Sequence, residues 1–465
     1  SLLMRHRAPA RGAVGLRRGP RHPLARSFAV AAFVLAAILV VAVPSAGDDA
    51  HDASLHCQFD GIDDAQRRAA RALLDDVPLI DGHNDLPWSL RSRVDNQLAE
   101  IDLTRDLRGH FENPLHTDLP RLRRGGVGAQ FWSVYVSYRL EGADAVQTVI
   151  EQIDVVHRLI ARYPDTLAFA TTADEIVAAH RDGRIASLIG IEGGHAIGNS
   201  LAVLRQLHRL GARYMTLTHW INHDWADAAT DAPIHSGLTD FGRAVVREMN
   251  RLGMLVDLSH VSPAVMRDAM AVSEAPVIFS HSSARGVTDH PRNVPDDVLR
   301  QVREDDGLVM VTFVPSFLSE DVRRHGAARR AEEARLGVLY IGQPDAAADA
   351  LAAWDADHPA PRASVADVAD HVDYLRRMTG IDHIGIGADY DGIRTVPDGL
   401  EDVGCYPTLL AELLRRGYTP AEVQQIAGGN ALRVMRRVEA VAAQLADAQP
   451  GDARFVPNDA DDDAR

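Results

Sequence analysis

The segment of residues 79–88, "LIDGHNDLPW", begins as an apolar run and ends with a histidine and an aspartate two residues apart. Side chains alternate along a β-strand, so His83 and Asp85 would share one face and could bind the same ligand. Imidazole nitrogen and carboxylate oxygen are common ligands of zinc, which makes this pair a candidate metal site. Such a pair also occurs at many polar strand ends, so the prediction needs support from elsewhere in the chain.

Histidine, glutamate and aspartate residues end several other apolar runs in the same way. They are Glu192, His219, His260, His281, Asp389 and Asp391. Each of them alone has a structural explanation, such as a hydrogen-bonded core histidine or a glutamate paired with an arginine. Together they would crowd one surface with polar groups that are costly to bury without a cation. The joint pattern therefore favours a metal site.

Eight short apolar runs separated by helical patterns must position these side chains, and such an alternation indicates successive β/α units. The count favours a closed (β/α)8 TIM barrel over an open doubly wound sheet. In such a barrel the carboxyl ends of all strands lie on one face, where the active sites of this fold occur. The predicted strands lie at residues 77–83, 126–137, 185–194, 212–219, 253–260, 275–281, 307–314 and 382–392.

The connecting segments have helical spacing and end in glycine, which is a common signal for the end of a helix. Three such helices are predicted at residues 200–211, 239–253 and 294–307. Residues 320–364 are rich in Ala, Arg and Asp and exceed the usual length of a connection, so they predict a helical insertion. A further helix at residues 365–379 would lead into the last strand.

Composition and net charge limit the classes of molecule that this protein is expected to bind. The chain has 465 residues, of which 46% are hydrophobic, and it carries a formal net charge of −16 at pH 7. Nucleic acid would be repelled by this charge, and the sequence has no basic stripe to offset it. Small molecules or peptides are therefore the expected partners.

The first 50 residues have the order of charge and hydropathy that is typical of a secretory signal: a basic stretch, the apolar run "FAVAAFVLAAILVVAV" at residues 28–43, and small residues after it. A retained N-terminal membrane anchor is the alternative, although the run is short for a span of about 20 residues. Either interpretation predicts export to the periplasm, the extracellular space or the outer face of the cytoplasmic membrane.

The remaining boundaries and the two cysteines complete the domain prediction. Residues 51–445 would form the barrel domain and residues 446–465 an acidic tail, which is expected to be disordered from residue 452 onward. Cys57 and Cys405 could form one bond in an oxidising compartment, but the sequence leaves their pairing open.

Six motifs give this chain a resemblance to the membrane (renal-type) dipeptidase family of dinuclear zinc peptidases. They are "LIDGHNDLPW", "IGIEGGHAIGNSLAVLRQLHRLGARYMTLTH", "GMLVDLSHVS", "PVIFSHSSAR", "PRNVPDD" and "IGIGADYDG", and they occur in the family's order. The resemblance runs from residue 64 to residue 438. It implies a metallodipeptidase with a barrel fold and two zinc ions per chain.

The resemblance also implies roles for individual residues. His83 and Asp85 would hold one zinc ion, His260 and His281 the other, and Glu192 together with a hydroxide would bridge both. A pair of zinc ions can activate water near neutral pH, so no serine or cysteine nucleophile is needed.

The substrate-binding and catalytic roles fall on three other residues. His219 would lie near the reacting carbonyl and donate to the developing oxyanion. Asp389 would move a proton from the attacking water to the leaving amine, with Asp391 as the nearby alternative.

Arg292 would bind the substrate's terminal carboxylate, for which a planar guanidinium is suited. An ion pair with Asp296 or Asp297 is the structural alternative for this arginine.

Two segments differ from the animal members of the family: the loop "WINHDWADAA" at residues 220–229 and the insertion at residues 320–364. The substrate preferences of those members are therefore not carried over to this chain.

Dipeptides are thus the predicted substrates, and a homodimer is possible. Two rival functions stay open at this point. One is a related barrel amidohydrolase acting on N-acyl amino acids or lactones, and the other is a metal-binding protein without catalysis.

Overall fold

Eight parallel strands close into a barrel in the computed structural model, which describes residues 56–457. The predicted signal or anchor at residues 1–50 lies outside the described residues, as do residues 458–465. The sheet has nine strands in the described residues: β1 Leu79–Asn84, β2 Val127–Tyr135, β3 Leu167–Phe169, β4 Ile185–Glu192, β5 Ala212–Thr216, β6 Leu255–Asp257, β7 Ile278–Phe279, β8 Leu308–Val311 and β9 Ile384–Ile386. Of these, β3 lies outside the closed ring of eight.

Closure follows from the pairing of β2 with β1 on one side and with β4 on the other. The order around the barrel is β1, β2, β4, β5, β6, β7, β8, β9 and back to β1. All eight predicted strands are present, although most are shorter than their apolar runs. The sequence analysis missed β3, a three-residue strand that pairs only with the first residues of β4 and is too short to show a periodic pattern.

Helices surround the barrel, with short 3₁₀ turns and one π-helical turn, Gln425–Gly429, between them. They are α1 Asp64–Ala72, α2 Leu86–Val94, α3 Leu119–Gly125, α4 Gly142–Arg162, α5 Ala173–Arg181, α6 Leu201–Arg209, α7 Asp240–Leu252, α8 Pro263–Val272, α9 Asp296–Glu304, α10 Pro315–Leu318, α11 Glu320–Leu339, α12 Pro344–Asp357, α13 Val365–Thr379, α14 Tyr406–Arg415, α15 Pro420–Gln424 and α16 Asn430–Gln444.

The predicted helices α6, α7 and α9 form where the sequence placed them. The α7 helix begins after Thr239, whose side chain accepts a hydrogen bond from the Gly242 N–H, and it ends at Gly253 in the left-handed conformation. These caps satisfy backbone groups that a helix leaves unpaired at its ends. The apolar face of α7, which includes Val245 and Met249, is buried, so the helix is fixed against its neighbours.

The predicted insertion is a pair of helices, α11 and α12, that follows the carboxyl end of β8 through the short helix α10. Leu336 is the one buried residue of α11, and α12 has none. By contrast, α13 buries seven residues, and it begins and ends where the sequence predicted. The insertion therefore adds little to the core of the barrel.

A disulfide joins Cys57, which precedes α1, to Cys405 at the start of α14. Its two Cα atoms lie 5.0 Å apart across a sequence separation of 348 residues. The sequence left this pairing open, and the structure resolves it. The bond ties the beginning of the described chain to the segment that follows the last strand.

The predicted boundary between the barrel domain and the acidic tail stays a prediction. Within the described part, the Gly451 N–H donates to Glu248, and the ring of Phe455 lies 5.9 Å from that of Phe241 on α7. Among the helices of residues 56–457, none combines the length and the apolar character needed to cross a membrane.

Candidate metal centre and active site

The carboxyl ends of the strands bring the predicted ligands together. Glu192 is the last residue of β4, and the others stand in β1 or within three residues of the ends of their strands. Because the strands are parallel, their ends share one face of the barrel. All of the predicted ligands are buried: His83, Asp85, Glu192, His260 and His281.

One oxygen of Glu192 lies at the centre of four imidazoles. Its Oε1 atom is 3.1 Å from the Nε2 of His260, 3.4 Å from that of His281, 3.5 Å from that of His83 and 3.7 Å from that of His219. The second oxygen, Oε2, accepts a hydrogen bond from the Ser133 hydroxyl at 3.2 Å. The glutamate is therefore placed to face two groups of ligands at once.

The remaining ligands form two sets of close contacts beside Glu192. In one group, the Nε2 atoms of His260 and His281 lie 3.0 Å apart. In the other, the His83 Nε2 lies 3.3 Å from Asp85 Oδ2 and 3.9 Å from Asp389 Oδ1. The structure thus brings the other predicted ligands together around Glu192, and the rings of His83 and His281, with centres 3.8 Å apart, also contact each other across the two groups.

Hydrogen bonds behind the histidines fix their orientation. The His83 Nδ1 lies 2.9 Å from the Tyr214 hydroxyl, which donates to the Gly82 carbonyl at 3.2 Å. The His281 Nδ1 lies 2.8 Å from the Ser280 hydroxyl. In both rings the Nδ1 is engaged and the Nε2 faces the centre, which is the arrangement that orients histidines for metal binding.

Sequence reasoning missed Asp257, which supports the His281 side of the centre. Its carboxylate accepts hydrogen bonds from the Ser280 hydroxyl at 2.6 Å, the Ser280 N–H at 2.8 Å and the Ser259 N–H at 3.1 Å. The Thr216 hydroxyl donates to it as well. Asp257 ends β6, where the pattern of the other strands would place a ligand, but the predicted ligand of this strand is His260, three residues later.

The two aspartates of "ADYDG" have different surroundings. Asp389 adopts a left-handed backbone conformation, with φ 69°, and its N–H donates to the His83 carbonyl at 3.1 Å, so its carboxylate lies beside Asp85. Asp391 accepts a hydrogen bond from the His116 N–H at 2.7 Å and lies away from the centre. Of the two alternatives, only Asp389 joins the cluster.

Arg292 is buried and faces the centre. Its guanidinium lies 3.4 Å from the Ser282 hydroxyl and 3.3 Å from the His281 carbonyl, and it packs 5.4 Å from the ring centre of Phe317. The alternative ion pairs for Arg292 are absent from the described residues, because Asp296 accepts from Tyr374 and Asp297 pairs with Arg267.

The charges of the cluster affect one another strongly. Burial raises the pKa of the Glu192 carboxyl, but the surrounding imidazoles outweigh it and hold that pKa well below its usual range. Burial raises the pKa of Asp389 well above its usual range, and the charges of Asp85 and Glu192 add to this effect. Burial lowers the pKa of His219 to about 4, so this imidazole is neutral at neutral pH.

The donor set fits divalent metal ions. The His83 Nε2 is buried and has no hydrogen-bond partner of good geometry among residues 56–457. The cluster forms three groups in which the ligand atoms lie within 4.8 Å of one another: His83 with Glu192 and His281, Glu192 with His219 and His260, and His83 with Asp85 and Asp389. Nitrogen and oxygen donors of this kind suit zinc, and a cation would offset the cost of burying three carboxylates.

Comparison with known proteins identifies the family. The family described as Membrane dipeptidase (Peptidase family M19) matches residues 67–449. The chain belongs to the membrane dipeptidase family. Dipeptidase 3 of Mus musculus is 42% identical over 394 residues, which cover 84% of this chain and 70% of the relative.

Two solved structures share the fold of this membrane dipeptidase-family chain. A probable dipeptidase from Pseudomonas aeruginosa superposes with a TM-score of 0.67 at 22% identity, covering 81% of this chain and 99% of that one. A metallopeptidase from Rhodobacter sphaeroides, liganded with a phosphinate mimic of the dipeptide L-Ala-D-Ala, has a TM-score of 0.64 at 25% identity and covers 78% and 99%.

Family membership confirms the predicted enzyme class, a metallodipeptidase-type hydrolase, and with it the need for a metal. The barrel fold is confirmed by the closed sheet and by these structures.

Gly392 offers a test of how tightly the centre is packed. A Cβ atom at this position would lie 2.2 Å from Asp85 Oδ2 and 2.6 Å from Asp389 Oδ1. We expect Gly392→Ala to displace both carboxylates and to weaken metal binding roughly 10- to 100-fold, the usual cost of disturbing a ligand's support. Metal titration followed by calorimetry would measure this change.

Gly109→Ala is the matched control, because a Cβ there meets no atom within 4 Å. This variant should bind metal as the wild type does. Equal metal affinity of Gly392→Ala and Gly109→Ala would contradict the geometry described above.

Proposed function

We propose that this chain is a zinc-dependent dipeptidase that holds two ions and hydrolyses the peptide bond of dipeptides. The observation that carries the proposal is the position of Glu192, whose Oε1 lies within 3.1–3.7 Å of four imidazole nitrogens at the carboxyl ends of four different strands. A single carboxylate oxygen so placed suits a bridge between two cations. The ligand of the Rhodobacter sphaeroides metallopeptidase, a phosphinate mimic of the dipeptide L-Ala-D-Ala, supports the same substrate class.

In this proposal His83 and Asp85 hold one ion, His260 and His281 hold the other, and Glu192 contacts both. When bound, two zinc ions at these residues would supply Lewis-acid chemistry for the scissile carbonyl and for a water nucleophile. Tyr214 and Ser280 keep the Nε2 atoms of His83 and His281 directed at the centre. The ligands therefore need little reorganisation when ions bind.

Asp389 is the proposed proton carrier. Its raised pKa reflects burial beside Asp85 and Glu192, so its carboxyl holds a proton more firmly than an exposed aspartate would. It can accept the proton of the attacking water and deliver it to the leaving amine, without which the amine would depart as an anion. His219 stays neutral through burial, and its N–H is proposed to donate to the carbonyl oxygen as negative charge develops there.

Arg292 is proposed to bind the terminal carboxylate of the substrate. Burial lowers the pKa of its guanidinium to about 10, so it stays charged at neutral pH. The Nε atom of Arg292 has no hydrogen-bond partner among the described residues, so part of its donor set is free for a ligand. A bidentate contact to a carboxylate would use that capacity.

Export is the proposed location. A disulfide is typical of proteins in oxidising compartments, and Cys57 and Cys405 form one here. This is consistent with the secretory signal or membrane anchor predicted at residues 1–50, which lies outside the described residues. The possible homodimer remains part of the proposal.

The zinc-loaded chain should hydrolyse simple dipeptides, and a chelator should abolish the activity. Asp389→Asn should lower kcat roughly 10²- to 10⁴-fold, the usual contribution of a general acid or base, because an amide cannot carry the proton. Asp391→Asn is the matched control and should stay close to the wild type, since an amide oxygen can still accept from the His116 N–H. Steady-state kinetics and metal analysis would be measured on all three proteins.

Other outcomes would favour the rival functions. Hydrolysis of N-acyl amino acids or lactones without cleavage of dipeptides would indicate the amidohydrolase alternative. Full metal content with no hydrolysis of either substrate class would indicate a metal-binding protein. Equal loss of activity in Asp389→Asn and Asp391→Asn would remove the specific role of Asp389.

Arg292→Ala should lower kcat/KM on dipeptides by about 1.5–3 kcal/mol of transition-state stabilisation, which is roughly ten- to a hundredfold. A dipeptide amide lacks the carboxylate, so it should be a poor substrate for the wild type and should lose little more in the variant. Arg300→Ala, an exposed arginine on α9, serves as the control. A similar loss on acid and amide substrates would instead make Arg292 a structural residue.

A further inference from the structure

Trp220 is a large apolar side chain left exposed beside the metal centre. It follows His219 directly after β5, and 39% of its surface is accessible to solvent. Its ring stands edge-on to two of the clustered histidines, with ring centres 5.7 Å from His219 and 5.4 Å from His260. The next residue, Ile221, is also exposed at 42%. Two consecutive apolar side chains thus lie exposed just after β5, and the first of them contacts His260.

The backbone around Trp220 is held in place. The Trp220 carbonyl accepts from the Thr230 hydroxyl at 2.6 Å, and the Asn222 N–H donates to Asp231 at 3.0 Å. The Ala229 N–H donates to the His260 carbonyl at 2.7 Å. This bond joins the loop that carries Trp220 to the predicted metal ligand His260. These bonds hold the backbone that carries Trp220 beside the metal centre, where its exposed apolar surface is unfavourable in water.

The position of Arg292 indicates which side chain of a bound dipeptide would lie near Trp220. Its guanidinium lies 3.3 Å from the His281 carbonyl, and the His281 Nε2 lies 3.0 Å from that of His260. In a dipeptide only the Cα of the C-terminal residue separates the terminal carboxylate from the scissile amide. With the carboxylate on Arg292 and the amide at Glu192, the C-terminal side chain would lie near His260, where Trp220 stands.

We propose that Trp220 is a specificity-determining residue that packs against the side chain of the substrate's C-terminal residue and favours apolar side chains there. This inference rests on the proposed dipeptidase function and on Arg292 as the carboxylate site. Contact with an apolar side chain removes the indole face and the ligand surface from water together. A glycine or alanine at the same position covers less of the indole and gains less.

The test compares two substrate series on the zinc-loaded full chain. In one series the N-terminal residue is glycine and the C-terminal residue is alanine, leucine or phenylalanine; in the other the C-terminal residue is alanine and the N-terminal residue varies. Trp220→Ala should lower the preference for Gly-Leu over Gly-Ala roughly tenfold, within the range expected for side-chain contacts in an apolar pocket. The preference between Leu-Ala and Ala-Ala should not change.

Two further variants separate a direct contact of Trp220 with the substrate from a general effect of losing a tryptophan. Trp220→Phe keeps an aromatic face and should retain most of the C-terminal preference. Trp354→Ala removes a tryptophan of α12 that stacks on His358, and it should leave both preferences unchanged. A change of the N-terminal preference, or an equal loss on every substrate of the two series, would overturn the inference. If the wild type cleaves no dipeptide, the proposed function is overturned as well. If the wild type is active and its preference for the C-terminal residue is unchanged by Trp220→Ala, only the specificity role is overturned.

Discussion

The Glu192 carboxylate is buried at the mouth of the barrel with the Nε2 atoms of four histidines around one of its oxygens. Asp85 and Asp389 lie in the same cluster. Burying three carboxylates is costly unless positive charge accompanies them. Burial lowers the pKa values of His219, His260 and His281, so of the four imidazoles only His83, whose pKa is raised despite burial by Tyr214, Glu192 and Asp85, favours the charged form. Bound cations would supply the positive charge that the buried carboxylates require.

The barrel meets the requirement because parallel strands deliver their carboxyl ends to one face. Rigid support comes from a layer beneath the ligands. Tyr214 reaches His83 only because Gly190 on the neighbouring strand has no side chain; a Cβ there would lie 2.0 Å from the tyrosine ring. Asp257 accepts a hydrogen bond from the Ser280 hydroxyl, and the same hydroxyl lies within hydrogen-bond distance of the His281 Nδ1. The chemistry of the centre thus depends on residues that contact the ligands from behind and are not ligands themselves.

The sequence predicted the parts of this arrangement that leave a local pattern. Apolar runs ending in His, Asp or Glu located the strands and placed His83, Glu192 and His281 at their carboxyl ends, where the structure has them. The helix caps were equally visible, as at Gly253. Such features depend on residues close together in the chain, so a single sequence reveals them.

The remaining features depend on contacts between distant segments. The short strand β3 exists only through its pairing with β4, and the Cys57–Cys405 disulfide spans 348 residues. The choice between Asp389 and Asp391 required the contact of Asp391 with His116, 275 residues away. Tertiary geometry also decided the alternatives for Arg292, since Asp296 and Asp297 turned out to have other partners.

Anomalous diffraction from crystals of the zinc-loaded protein, collected on both sides of the zinc absorption edge, would test the central claim most directly. The account predicts two zinc peaks per chain on either side of Glu192, one beside His83 and Asp85 and the other beside His260 and His281. In crystals of Glu192→Gln grown and soaked in the same way, both peaks should weaken together. A single peak in the wild type, or two full peaks in Glu192→Gln, would contradict a bridging carboxylate at the centre of this site.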